Sequence, residues 1–134
     1  MNYVAQRHAM SCGVAAVANV VGISYDEAAK VFDMKYAETR GYFCKSIVTS
    51  FAKLGKQYRF AKYTAKSAPL AEVSGAVIFI EQSLMFPYGH WVARADNVWV
   101  DSWINLQEEK DPRYAKAGVH TKLPGRPQWI VYPV

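Results

Sequence analysis

The stretch Gln6 to Val21, QRHAMSCGVAAVANVV, constrains this chain more than any other. From Cys12 onward it is almost wholly small and apolar, which predicts a helix over about 12–21. Val14, Val17, Ala18 and Val21 fall on one stripe, and Ala15, Ala16 and Asn19 allow close packing around the remainder. A helix apolar on nearly every side belongs at the centre of a domain. Ser11 is placed to cap its start and Gly22 to end it. Cys12 then lies in the first turn, where the unpaired N–H groups favour thiolate over thiol. Free cysteine titrates near ~8.5, whereas cysteines at helix starts beside an imidazolium fall to about 3.5–7.5. The competing reading is a core cysteine, because free Cys is among the most buried residue types.

At 134 residues, 51% of them hydrophobic and 20% charged, the chain suits one globular domain, residues 1–134. No apolar run approaches the ~20 residues of a membrane span, and the N-terminal residues lack a signal-peptide layout. The expected setting is the cytoplasm. Cys12 and Cys44 are too few for a disulfide framework, and no Cys/His spacing suggests zinc. The net charge is +5. It is concentrated between Lys35 and Lys66, where Arg40, Lys45, Lys53, Lys56, Arg59 and Lys62 also lie, against a single acid, Glu38. An acidic partner, a nucleic acid or an anionic substrate segment could dock there. The charges are spread singly, however, with no nucleic-acid-binding signature, so a solvated surface is the simpler expectation.

Ser24-Tyr25-Asp26-Glu27 has the form of a capping box and predicts a short helix to about Phe32. A third helix is expected from about Tyr42 to Leu54, with Phe43, Ile47, Phe51 and Leu54 inward and Gly55 as its stop. The pattern then changes to strands: Gln57–Tyr63, the continuous apolar run 76–80, and a hairpin of 90–94 and 98–101 turning at Ala95-Asp96-Asn97. Residues 104–127 read mainly as loop. The segment 129–132 reads as a last strand, placed at an edge because Pro127 and Pro133 flank it. The sum is α+β, with N-terminal helices packed on an antiparallel sheet.

The hairpin brings His90 and Asp101 to the same end of two paired strands, close enough for a carboxylate to hold an imidazole N–H. With Cys12 as nucleophile, His90 as base and Asp101 as its orienting group, the set meets the needs of acyl transfer. Gln6, with the backbone N–H of Cys12, could hold the oxyanion of a tetrahedral intermediate. The plain alternatives are a structural histidine beside Trp91 and a turn-capping aspartate. Tyr88 and Gly89 flank the base and could line a substrate groove, or Gly89 could serve only the dihedral angles of its turn. Trp103 is placed to shield the His–Asp hydrogen bond or to fill the core. Cys44 reads as a core or subsite cysteine, and His8 and His120 as surface residues. Nothing in the sequence fixes an oligomeric state.

Gln6, Cys12-Gly13, Ala15-Ala16, Gly41, Leu54-Gly55, Gly89-His90-Trp91-Val92 and Val98-Trp99-Val100-Asp101, in that order, resemble the bacteriocin-processing (double-glycine leader) cysteine peptidase family of the papain-like superfamily. The resemblance spans roughly residues 3–103. It implies a compact papain-like fold, a cleft between helices and sheet, and no cofactor. It also implies a peptide or protein substrate cut at a peptide or isopeptide bond, with Cys12 as nucleophile, His90 as general base and acid, Asp101 as orienter and Gln6 as oxyanion donor. Family members often carry Asp before the cysteine and Pro after the last triad residue; here these are Ser11 and Ser102. Classical members are fused to a membrane transporter. A catalytically silent peptide-binding domain of the same fold and a basic nucleic-acid-binding protein are the rival readings.

Overall fold

The structure, a computed structural model, describes residues 2–134. Helix α1 (Cys12–Val21) forms where the small-residue run predicts it, and Val14 to Ala18 are wholly buried. Gly22 ends it at φ 81°, a left-handed cap that L-residues with a Cβ resist. Ser11 occupies the N-cap position without capping by its side chain. Its hydroxyl is committed to the preceding loop, donating to His8 O and accepting from His8 N–H.

Helix α2 (Tyr25–Ala29) starts with the expected reciprocal bonds of Ser24 and Glu27. It is shorter than predicted because the chain tightens into three-residue turns, Val31 N–H to Ala28 O and Phe32 N–H to Ala29 O. Helix α3 (Cys44–Lys53) begins two residues later than its apolar spacing suggests. Phe43 is its N-cap in extended backbone and is 63% exposed, so it leaves the expected inward stripe, while Ile47 and Phe51 stay buried. A short helix α4 (Ala68–Ala71) crosses from the first strand to the second.

One six-stranded sheet carries these helices: β1 (Tyr58–Lys62), β2 (Val77–Ile80), β3 (His90–Ala95), β4 (Val98–Asp101), β5 (Gly118–His120) and β6 (Pro127–Pro133). Every pairing is antiparallel, in the order β1-β6-β2-β3-β4-β5. Two expectations are corrected here. Strand β6 is internal, between β1 and β2, because its prolines sit only at its two ends and leave Trp129, Ile130 and Val131 to pair on both sides. The slip in register between Phe79 and Ile80 accommodates Pro127. The segment 104–127 is not all loop, since β5 closes the far edge against β4.

The core lies in two layers. Val77, Trp91, Ala93, Val100 and Val131 face α1, and Ile78, Ile80, Val92, Trp99 and Ile130 occupy the other face. The Asp96-Asn97 turn is as expected, with Asp96 at φ 51°. Among the described residues, no helix is long and apolar enough to cross a membrane.

Gly89 joins the two demands that only glycine meets. Its φ is 77°, and a Cβ there would stand 2.3 Å from Phe79 Cζ and 2.9 Å from Ile80 O. Gly22 shares the dihedral but has open space around it. Gly89→Ala is therefore expected to cost at least about 2 kcal/mol, from strain plus overpacking. Gly22→Ala should cost about 1 kcal/mol. Urea unfolding of the two variants checks the order; equal losses would contradict it.

Candidate active site

Three pieces of local structure converge on the start of α1. The N-terminal segment is fastened across that helix by Asn19, whose side-chain amide accepts from Val4 N–H (2.6 Å) and donates to Val4 O (3.0 Å). This sets Gln6 beside β4, where its N–H donates to Ser102 O at 3.1 Å. Gly13 lets the helix approach the sheet, because a Cβ there would meet Ile47 Cδ1 at 2.8 Å and Trp91 Cδ1 at 3.4 Å. Cys12, half-buried, thus reaches β3, and the Trp91 backbone N–H donates to its sulfur at 3.4 Å. The Trp91 indole in turn donates to Tyr42 O at 2.9 Å, locking the sheet to the loop before α3.

His90, 4% exposed, opens β3, and Asp101, 1% exposed, closes β4. The register pairs Ala93 with Val100, so His90 and Asp101 are diagonal neighbours on one pleat face rather than directly opposite. His90 Nε2–H donates to Asp101 Oδ1 at 2.7 Å. That bond leaves Nδ1 for the start of α1, where the Cys12 sulfur lies near enough to favour charge on the ring. The Phe86 ring stacks flat on the imidazole at 4.5 Å and 6°. Burial opposes charge on His90, but the nearby Cys12 sulfur and the hydrogen-bonded Asp101 carboxylate outweigh it and raise its pKa to about 10. Burial likewise opposes charge on Asp101, yet hydrogen bonds from His90, His120 and the Trp103 N–H, with the His90 charge, hold its carboxyl well below the usual carboxylate range.

Cys12, His90 and Asp101 thus come together, while Gln6, Trp103 and His120 are placed otherwise than expected. Gln6 is buried, and its amide oxygen accepts from the buried Ser102 hydroxyl at 2.7 Å. Its Nε2 donates to His8 O (3.0 Å) and Ala9 O (3.2 Å), both carbonyls of its own loop. Trp103 meets the aspartate through its backbone N–H, which donates to Asp101 Oδ1 at 2.9 Å, while its indole donates to Glu109 O. His120, read as a surface residue, instead donates from Nε2 to Asp101 Oδ2 at 2.8 Å. No sequence signal pointed to it, because its three-residue strand has no periodicity of its own. His8 pairs with Glu38 near the surface.

Above the sulfur lies a cleft of about 740 Å³. Tyr88 and Gly89 line it, as do Cys44, Trp103 and the exposed side chains of Phe43, Leu84 and Met85. Arg40, Lys45 and Lys110 are its charged lining residues, and no Asp or Glu is among the described residues that line it. A polar groove continues from it, sharing Met10, Arg40, Phe79, Tyr88 and Gln128. Burial pushes the Cys44 thiol up to about 11. Among the described residues, no cluster of three or more His, Cys, Asp or Glu is arranged to hold a metal.

Because the folded carboxyl of Asp101 is depressed, its contribution to stability is complete above the ordinary aspartate value near ~3.9 and is lost as pH falls below it. In urea titrations between about pH 5 and pH 2, wild type should therefore lose stability more steeply than Asp101→Asn. Parallel curves would show that this carboxylate is not specially held. Set against known proteins, the chain matches no protein-family model and no curated protein.

Proposed function

We propose that the chain is a cysteine peptidase of papain-like fold, related to the bacteriocin-processing family, that cuts a peptide or isopeptide bond through a thioester acyl-enzyme. The observation that carries this reading is the placement of His90 between Cys12 and a buried, ionised Asp101. An isolated cysteine packed in hydrocarbon would give no reason for a buried imidazole–carboxylate pair to end at its sulfur.

In this mechanism the Cys12 thiolate attacks the carbonyl carbon of the scissile bond and forms the C–S bond. The carbonyl electrons move to oxygen, which is held by the Cys12 backbone N–H, a first-turn donor without a helical partner. The Gln6 amide is the second donor, and it must give up His8 O or Ala9 O to turn toward the oxyanion. Collapse of the intermediate breaks the C–N bond as the His90 imidazolium passes its Nδ1 proton to the leaving nitrogen. Neutral His90 then takes a proton from water, hydroxide attacks the thioester, and the C–S bond breaks to restore the thiolate and release the carboxylic acid, which gives its proton to solvent. Asp101 keeps the ring in the tautomer and plane that both transfers need. The apolar cleft opening into a polar groove suits an extended peptide with bulky apolar side chains on one side of the cut.

A peptide library made from denatured cell protein, analysed by mass spectrometry for new termini, tests this directly. Wild type should generate termini that Cys12→Ala does not. His90→Ala should slow them by about 10²–10⁴ and Gln6→Ala by about 10²–10³, while Cys44→Ser should leave them unchanged. Termini that persist in Cys12→Ala, or none from any variant, would overturn the reading.

A further inference from the structure

The catalytic carboxylate has a second imidazole on it. Strand β5 pairs Asp101 with Gly118 and Trp99 with His120, so His120 is diagonal to Asp101 on the same pleat face. This mirrors the relation of His90 to Asp101 across the other edge of β4. The two rings share the carboxylate between them, His90 on Oδ1 at 2.7 Å and His120 on Oδ2 at 2.8 Å, and the Trp103 N–H completes Oδ1 at 2.9 Å. Gly118, directly opposite Asp101, offers no side chain to compete, and the space a Cβ would take is filled by Ile104.

We infer that His120 is a positioning residue for the proposed reaction, fixing the Asp101 carboxylate so that Oδ1 stays aimed at His90. This inference rests on the peptidase reading for its purpose but not for its test. The physical basis is rotation. A carboxylate held through one oxygen can turn about its Cβ–Cγ bond, whereas one held through both oxygens, by donors on opposite sides of its strand, cannot turn without breaking both bonds. The Oδ2 atom is also kept from orphaning in a side chain that is 2% exposed. His120 itself is 23% exposed on its side chain, so it closes the carboxylate off from solvent at the sheet edge. The titratable groups that face the His90–Asp101 pair are Cys12 of α1 and His120 of β5; Arg40, Lys45 and Lys110 are the charged groups of the adjoining cleft.

The test is the titration of the His90 ring by nuclear magnetic resonance in wild type, His120→Phe, His120→Gln and His120→Asn. Gln places an N–H where Nε2 stands, and Asn falls one bond short. Wild type and His120→Gln should hold the His90 midpoint near about 10. His120→Phe and His120→Asn should lower it, because a carboxylate free to turn holds the His90 N–H less well. Alkylation of Cys12 by iodoacetamide near neutral pH should slow about tenfold or more in the same two variants, as the base loses its alignment. If His120→Phe does not fold, the Gln and Asn pair decides the matter. An unchanged or raised His90 midpoint in the variants that lack the donor would overturn the assignment. The His90 titration reads the clamp whether or not any peptide is cut, so its failure and that of the peptidase reading are separable.

Discussion

The structure turns on one buried anion. Asp101 lies almost wholly out of water, and a carboxylate in that position is tolerated only when donors replace its hydration. Here the donors are His90, His120 and the Trp103 N–H, drawn from β3, β5 and the turn after β4. Each of those elements is placed by its own ladder, and the carboxylate is where they must agree. The same requirement favours the cationic form of His90, since the Cys12 sulfur on one side and the Asp101 carboxylate on the other outweigh the cost of its burial.

The second constraint is the approach of α1 to the sheet. For the proposed reaction, a nucleophile at a helix start is useful only if that start touches the strand bearing the base. Gly13 permits this by leaving room for Ile47 and Trp91, and the Trp91 N–H meets the sulfur as a result. Asn19 then fastens the N-terminal segment over the helix, which brings Gln6 against Ser102. Ser102, which follows Asp101, completes that placement: its hydroxyl holds the Gln6 amide oxygen. The amide nitrogen is thereby turned toward the loop before Cys12.

What could be read from sequence was local. The small-residue helix, the Ser24–Glu27 box, the Asp96-Asn97 hairpin and the apolar run of β2 are each written in contiguous residues with a fixed period. Cys12, His90 and Asp101 were legible because hairpin geometry and a helix start define where their side chains go. The features that sequence hid depend on partners far along the chain. Strand β6 looks like an edge from its prolines, yet interior pairing depends on where β1 and β2 lie. Strand β5 is three residues long and carries a glycine, so it has no periodicity to detect, and His120 was hidden with it. Phe43 fits a helical stripe by spacing, but the extended backbone at the N-cap turns it outward to the cleft rim.

The proposed reaction needs above all that the Cys12 sulfur be the thiol served by His90, itself held by Asp101. The most direct measurement is the rate at which iodoacetamide alkylates each cysteine near neutral pH. Cys12 is expected to react much faster than Cys44 and to lose that advantage in His90→Ala. Equal rates for the two cysteines, at the pace of a free thiol, would contradict it.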